Sequence, residues 1–150
     1  MKNNATNGGG FQGYYFEDLE VGMEASYAKH ISEDDIQCFA DISGDHNPVH
    51  MNDEYASQTV FKERIAHGIL TASLVSTVLG TKLPGPGSIY ISQSLNFRAP
   101  VKIDDKVVAV ARVAELVQEK GRAIFTCNCQ VNGKTVLDGE AVILVPSRPE

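Results

Sequence analysis

The chain has 150 residues, 43% of them hydrophobic and 21% charged, and carries a net charge of −6. That length suits one domain with a sizeable core, and the acidic balance argues against a nucleic-acid partner, which selects a basic face. The longest uncharged run, 65–81, contains His, Gly, Ser and Thr and falls short of the about 20 apolar residues of a membrane span.

The first ten residues, "MKNNATNGGG", lack the apolar stretch of a secretory signal. A flexible tail is expected over 1–13, then a single domain over 14–150, in a cytoplasmic protein. A first strand is expected over Ala25–Ile31. Ser32 then caps a helix, with Asp35 completing a variant capping box. Ile36, Phe39 and Ala40 give that helix its apolar stripe, and Gly44 stops it. A short surface helix follows over Asn52–Ser57. The stretch "HGILTASLVSTVLG", His67–Gly80, has apolar residues all round and no charge, the pattern of a helix buried on nearly every side.

"KLPGPGS" breaks the chain. Strands are then expected over 88–97, 106–116, 122–131 and 135–145, all rich in Val and Ile, with "VNGK" a two-residue hairpin turn. One buried helix before an antiparallel meander makes an α+β protein in which the sheet wraps the helix, the hot-dog arrangement. Cys127 and Cys129 fall on one strand face with Phe125 and Val131. With Cys38 they make an odd number of thiols, expected to be reduced, and the strand pair reads as core rather than metal site.

The chemistry concentrates in "SGDHNPVH", Ser43–His50. Pro48 fixes its own backbone and pushes Asn47 to extended conformations, so Asp45 and His50 can face one spot. An acid and an imidazole around one water are a general acid–base pair. Asp-x-Asn-Pro is equally a good structural turn, and spacing alone leaves both readings open. His46 and His50 have helical metal spacing, but Pro48 interrupts a helix there and no acid or thiol supplies the usual zinc pattern. His67 and Gly68 open the apolar helix. Its unpaired N–H groups and dipole suit an oxyanion, and glycine admits a ligand to the backbone. A helix start that simply needs a small residue reads the same way.

Taken together, "FADISGDHNPVH", "AHGILTASLVSTVLG" and "LPGPGSIYISQSLNFRAPV" resemble the (R)-specific enoyl-CoA hydratases of the MaoC-like, hydratase-2 family, especially the single-domain type that supplies polyhydroxyalkanoate monomers. The resemblance covers roughly Tyr15 to Pro146. It implies reversible syn hydration of a trans-2-enoyl-CoA, short chains favoured, to (R)-3-hydroxyacyl-CoA. Asp45 would be the base, and His50 would position the water and help protonate the α-carbon. Gly68 would bind the thioester carbonyl. Asn47, Ser76, Leu79 and Val142 would contact the substrate, the middle pair and Val142 along its acyl chain. The resemblance implies no metal, no cofactor and a homodimer. Lys62, Arg64, Lys82, Arg98 and Lys102 are candidates for the CoA phosphates, and each reads first as a plain surface charge. The rivals are a hot-dog thioesterase, disfavoured because 65–81 holds no carboxylate, a carrier-protein dehydratase of fatty-acid synthesis, whose His-Phe-Pro loop and helical Glu are absent, and a non-catalytic acyl-CoA binding module.

Overall fold

A computed structural model describes residues 11–150. Six antiparallel strands form one sheet: β1 (Glu24–His30), β2 (Ile89–Gln93), β3 (Asn96–Phe97), β4 (Lys106–Val117), β5 (Arg122–Val131) and β6 (Lys134–Leu144). Their order is β1-β4-β5-β6-β2, with β3 also paired to β6. The long pattern after Ser88 thus divides into two short strands. Between them Ser94 crosses close over β6: a Cβ on Gly139 would lie 1.8 Å from the Ser94 carbonyl oxygen, so only glycine fits. The hairpin β5–β6 turns on Asn132 and Gly133, both with positive φ (51° and 78°), as the primed turns require.

Four helices precede or interrupt the sheet: α1 (Glu33–Ser43), α2 (Pro48–Met51), α3 (Asp53–Ser57) and α4 (Gly68–Thr81). Ser32 caps α1 as expected, its hydroxyl accepting from Asp35 N–H while Asp35 accepts from Ser32 N–H. Gly44 ends it with a left-handed φ of 80°. The longest helix, α4, packs on β1, β4 and β5. It buries Thr71, Leu74, Val75, Val78 and Leu79 against a sheet face built by Val107, Ala109, Ala111, Phe125, Cys127 and Cys129.

The helix is not buried all round, contrary to the uncharged pattern. Ile69 is 55% exposed, and Ser73, Ser76 and Gly80 are exposed with it. Alongside runs the free edge strand β2, whose Ile89, Tyr90 and Ile91 are also exposed. The apolar character of α4 therefore serves two surfaces, one of them open in the single chain. Both strand cysteines are buried, as expected of core residues, and burial pushes their thiols up to about 11 (Cys127) and about 12 (Cys129).

Of the tail expected over 1–13, residues 1–10 lie outside the described residues. Gly13 N–H donates to the Pro86 carbonyl, so this part of the chain is docked on the turn after α4. No helix of the described residues is long and apolar enough to cross a membrane.

Leu79 is only 2% exposed and sits in the central cluster. Leu79→Ala should cost about 2–5 kcal/mol by urea unfolding, the usual result of deleting a well-packed leucine. A loss well under that range would mean the side chain borders open space.

Candidate active site

The loop between α1 and α2 is built by its own polar groups. Ser43 Oγ accepts from Asp45 N–H, Asp45 Oδ1 accepts from Asn47 N–H, and Asn47 Oδ1 accepts from Val49 N–H. Asn47 is thus the N-cap of α2 and Pro48 its first residue. The turn reading of "GDHNP" is borne out, and the same segment carries the ionisable side chains of Asp45 and His46. His50 and His46 part company, as Pro48 requires. His46 faces outward and contacts Asp41 at 3.1 Å, whereas His50 turns inward and is 9% exposed.

His50 is fixed from two sides. Its Nδ1 lies 2.8 Å from the Ile65 carbonyl oxygen. A carbonyl only accepts, so Nδ1 carries the hydrogen and Nε2 presents a lone pair. Its backbone carbonyl accepts from Arg64 Nε at 2.7 Å, and Arg64 Nη1 reaches Glu33 of α1, also at 2.7 Å. Arg64 is 7% exposed. A guanidinium spent this way holds α2 in place, which removes Arg64 from the candidates for the CoA phosphates. Three other candidates are also paired: Lys82 donates to the Ser26 carbonyl, Arg98 forks onto Asp138, and Lys102 meets Glu63.

Asp45, on the exposed loop, and His50 converge with His67, the N-cap of α4. One donor or acceptor atom of each lies within 4.8 Å of the others. This is the one trio of potential metal ligands among the described residues, and the same spacing lets a water bridge carboxylate and imidazole. Burial drives the His50 imidazole below its ordinary value of 6.5, outweighing the bond to Ile65. On the surface, Asp41 draws the His46 imidazole above it.

Beside His50 opens a cleft of about 500 Å³. Gly68, the first residue of α4, stands in its wall with Thr71. The rest is mostly apolar: Phe61, Ile65, Ile69, Phe97, Pro100, Val101, Val136 and Leu137. A Cβ on Gly68 would meet the Phe97 ring at 2.6 Å, so glycine here keeps both the helix start and the ring in place. The structure therefore brings Asp45, His50 and Gly68 to one place, with Asn47 beneath as a cap. It does not bring Ser76, Leu79 or Val142 there. Ser76 is on the open face of α4, Leu79 is in the core, and Val142 lies half-buried on the face of β6 opposite Ala141 and Ile143. Arg64, Phe61 and Phe97 are the members that the motif did not reveal.

An antiparallel sheet packed on one apolar helix, with an acid–imidazole pair at the helix start, is a hot-dog domain equipped for water chemistry. The family model described as "MaoC like domain" matches residues 17–134, and the chain belongs to the MaoC-like family. It is 56% identical over 135 residues to an (R)-specific enoyl-CoA hydratase of Rhodospirillum rubrum, covering 90% of this chain and 94% of that one. A 3-hydroxybutyryl-CoA dehydratase of Methylorubrum extorquens is 54% identical over 136 residues, 91% of this chain and 87% of the relative. Among solved structures, the R-hydratase PhaJ1 of Pseudomonas aeruginosa superposes with a TM-score of 0.86 at 45% identity, covering 91% of this chain and 88% of that one.

The two shifted imidazoles give a direct check. In an NMR titration, His50 should have its midpoint below 6.5 and His46 above it. The signs for stability are opposite. His50 contributes stability above the unfolded-chain value that is lost as pH falls through its own lower value. The contribution of His46 is present below the unfolded-chain value and is lost as pH rises through its own higher value.

Proposed function

We propose that this chain is an (R)-specific enoyl-CoA hydratase, a hydro-lyase that adds water across the 2,3 double bond of a trans-2-enoyl-CoA and runs the reverse dehydration. The observation that carries the reading is the convergence of Asp45 and His50 beside a cleft whose wall includes Gly68, the first residue of α4. The names of the 54–56% identical relatives point the same way.

The thioester oxygen accepts from Gly68 N–H, at the positive end of α4. One water sits between the Asp45 carboxylate and His50 Nε2. Its oxygen bonds to C3, the π electrons move onto the thioester oxygen, and the leaving proton goes to His50 Nε2. The imidazolium then gives that proton to C2 as the enolate collapses. Asp45 accepts the other O–H and steadies the imidazolium. The family resemblance gives the base role to Asp45. The Nδ1–H tautomer of His50 favours the reverse division: an imidazole with a free lone pair has no proton to give until it has taken one. Both new bonds come from one face of the substrate, which gives syn addition.

The acyl chain occupies the cleft against Ile65, Phe97 and Val101, and short chains are favoured. The four-carbon substrate in the name of the Methylorubrum relative supports that preference. The Aeromonas caviae (R)-hydratase, described as involved in PHA biosynthesis, is 40% identical with a TM-score of 0.84, which supports a role in supplying (R)-3-hydroxyacyl-CoA for polyhydroxyalkanoate in the cytoplasm. The working form is a homodimer, joined through β2 and the open face of α4, where Ile69, Tyr90 and Ile91 otherwise stand in solvent.

Asp45→Asn and His50→Ala should each lower kcat for crotonyl-CoA by about 10²–10⁴-fold, followed as loss of the enoyl absorbance. The double variant should lose far less than the product, because both groups act on one water. Near-normal rates in both single variants would sink the mechanism. Coupling the product to an (S)-specific 3-hydroxyacyl-CoA dehydrogenase should give no NADH, and appreciable NADH would refute the stereochemistry. The acid limb of kcat/KM, which reports the free enzyme, should lie below pH 6.5, since His50 stays unprotonated until pH falls through its own lowered value.

A further inference from the structure

His67 is the residue that ties both members of the pair to the body of the protein, although the motif gives it no role. Its Nε2 lies 2.9 Å from the Asp45 backbone carbonyl oxygen. The carbonyl only accepts, so Nε2 carries the hydrogen and donates it. Every other hydrogen bond of residues 44–47, among the described residues, stays within α1, the loop and α2: Gly44 to Ala40, Asp45 to Ser43, His46 to Asp41 and Gly44, Asn47 to Asp45, Val49 and His50. The His67 bond alone crosses from this exposed segment to α4, spanning 22 residues.

The ring does a second thing. It stacks on His50 with centroids 3.9 Å apart and planes at 30°, and its other neighbour is Phe39 of α1 at 4.8 Å. It is 2% exposed, and its Nδ1 has no protein hydrogen-bond partner among the described residues. One nitrogen reaches Asp45 while the ring face supports His50.

We infer that His67 is a positioning residue for the hydration step: it holds Asp45 by a backbone hydrogen bond and His50 by ring contact, setting the gap in which the water sits. The inference rests on the hydratase reading and deepens it. Because His67 acts through the pair, its loss should strike turnover more than substrate affinity, and a donor restored at the Nε2 position should recover much of the rate.

Two variants separate the functions. His67→Phe keeps a ring and removes the donor. His67→Gln places an amide N–H near the former Nε2 and removes the ring. With crotonyl-CoA, the Phe variant should lose about 10²-fold or more in kcat while KM changes by less than about threefold, and the Gln variant should regain at least about tenfold of that loss. A Phe variant within threefold of wild-type kcat, or a Gln variant as impaired as Phe, overturns the inference. If the Phe variant does not fold, His67→Asn takes its place: its amide is too short to reach Asp45, so Gln should exceed it about tenfold, and equal rates would count against the idea. A readout without turnover separates this from failure of the hydratase reading. Backbone ¹⁵N order parameters of residues 44–47 should fall in the Phe variant and hold in the Gln variant. If wild type is inert toward crotonyl-CoA, the hydratase reading fails by itself. Unchanged order parameters in the Phe variant would overturn the positioning role whatever the reaction.

Discussion

Everything at the site depends on where α4 begins. The helix is clamped along one side by Leu74, Val75, Val78 and Leu79, all in the central cluster. Its first turn therefore cannot slide without repacking the core, and interiors at crystal-like density resist that. The fixed first turn places the His67 ring and Gly68 side by side and, one turn on, Thr71 in the cleft wall. A core interaction thus sets the geometry of a site on the surface.

Around that fixed point the Asp45–His50 loop is assembled from weaker, local parts. Residues 44–47 are all exposed, and their shape comes from Asx-type bonds and a proline, which fix a turn but not its place on the protein. Place comes from buried polar groups behind it. Arg64 joins the His50 backbone to Glu33, Ile65 receives the His50 Nδ1–H, and Ala66 N–H bonds on to Val101. This division leaves Asp45 exposed to solvent, while His50 is desolvated enough to have its proton affinity lowered. In the proposed reaction the base is this imidazole, held within 4.8 Å of the Asp45 carboxylate.

The parts legible in the sequence were those decided by neighbours along the chain. Ser32 with Asp35, Gly44, and Asn132–Gly133 were readable because capping and turn rules act over a few residues. The Asp45–His50 loop was readable for the same reason. What the sequence concealed was long-range. Arg64 reads as a surface cation until Glu33, 31 residues away, receives it. The 88–97 strand reads as continuous, because nothing local shows Ser94 passing over Gly139. The uncharged α4 reads as buried all round because periodicity reports an apolar or neutral face and not what covers it. Val142 illustrates the period-2 rule: one residue along a strand separates the core face from the opposite face.

The central claim is that one water, held by Asp45 and His50, supplies both the hydroxyl and the proton from the same side of the substrate. Hydration of crotonyl-CoA in D₂O tests it most directly. The proton vicinal coupling in the 3-hydroxybutyryl product reports whether deuterium at C2 and the hydroxyl at C3 arrived on one face. A single syn diastereomer is the result this account predicts. An anti product, or a mixture of the two, would mean that the oxygen and the proton come from separate sources, and would contradict it.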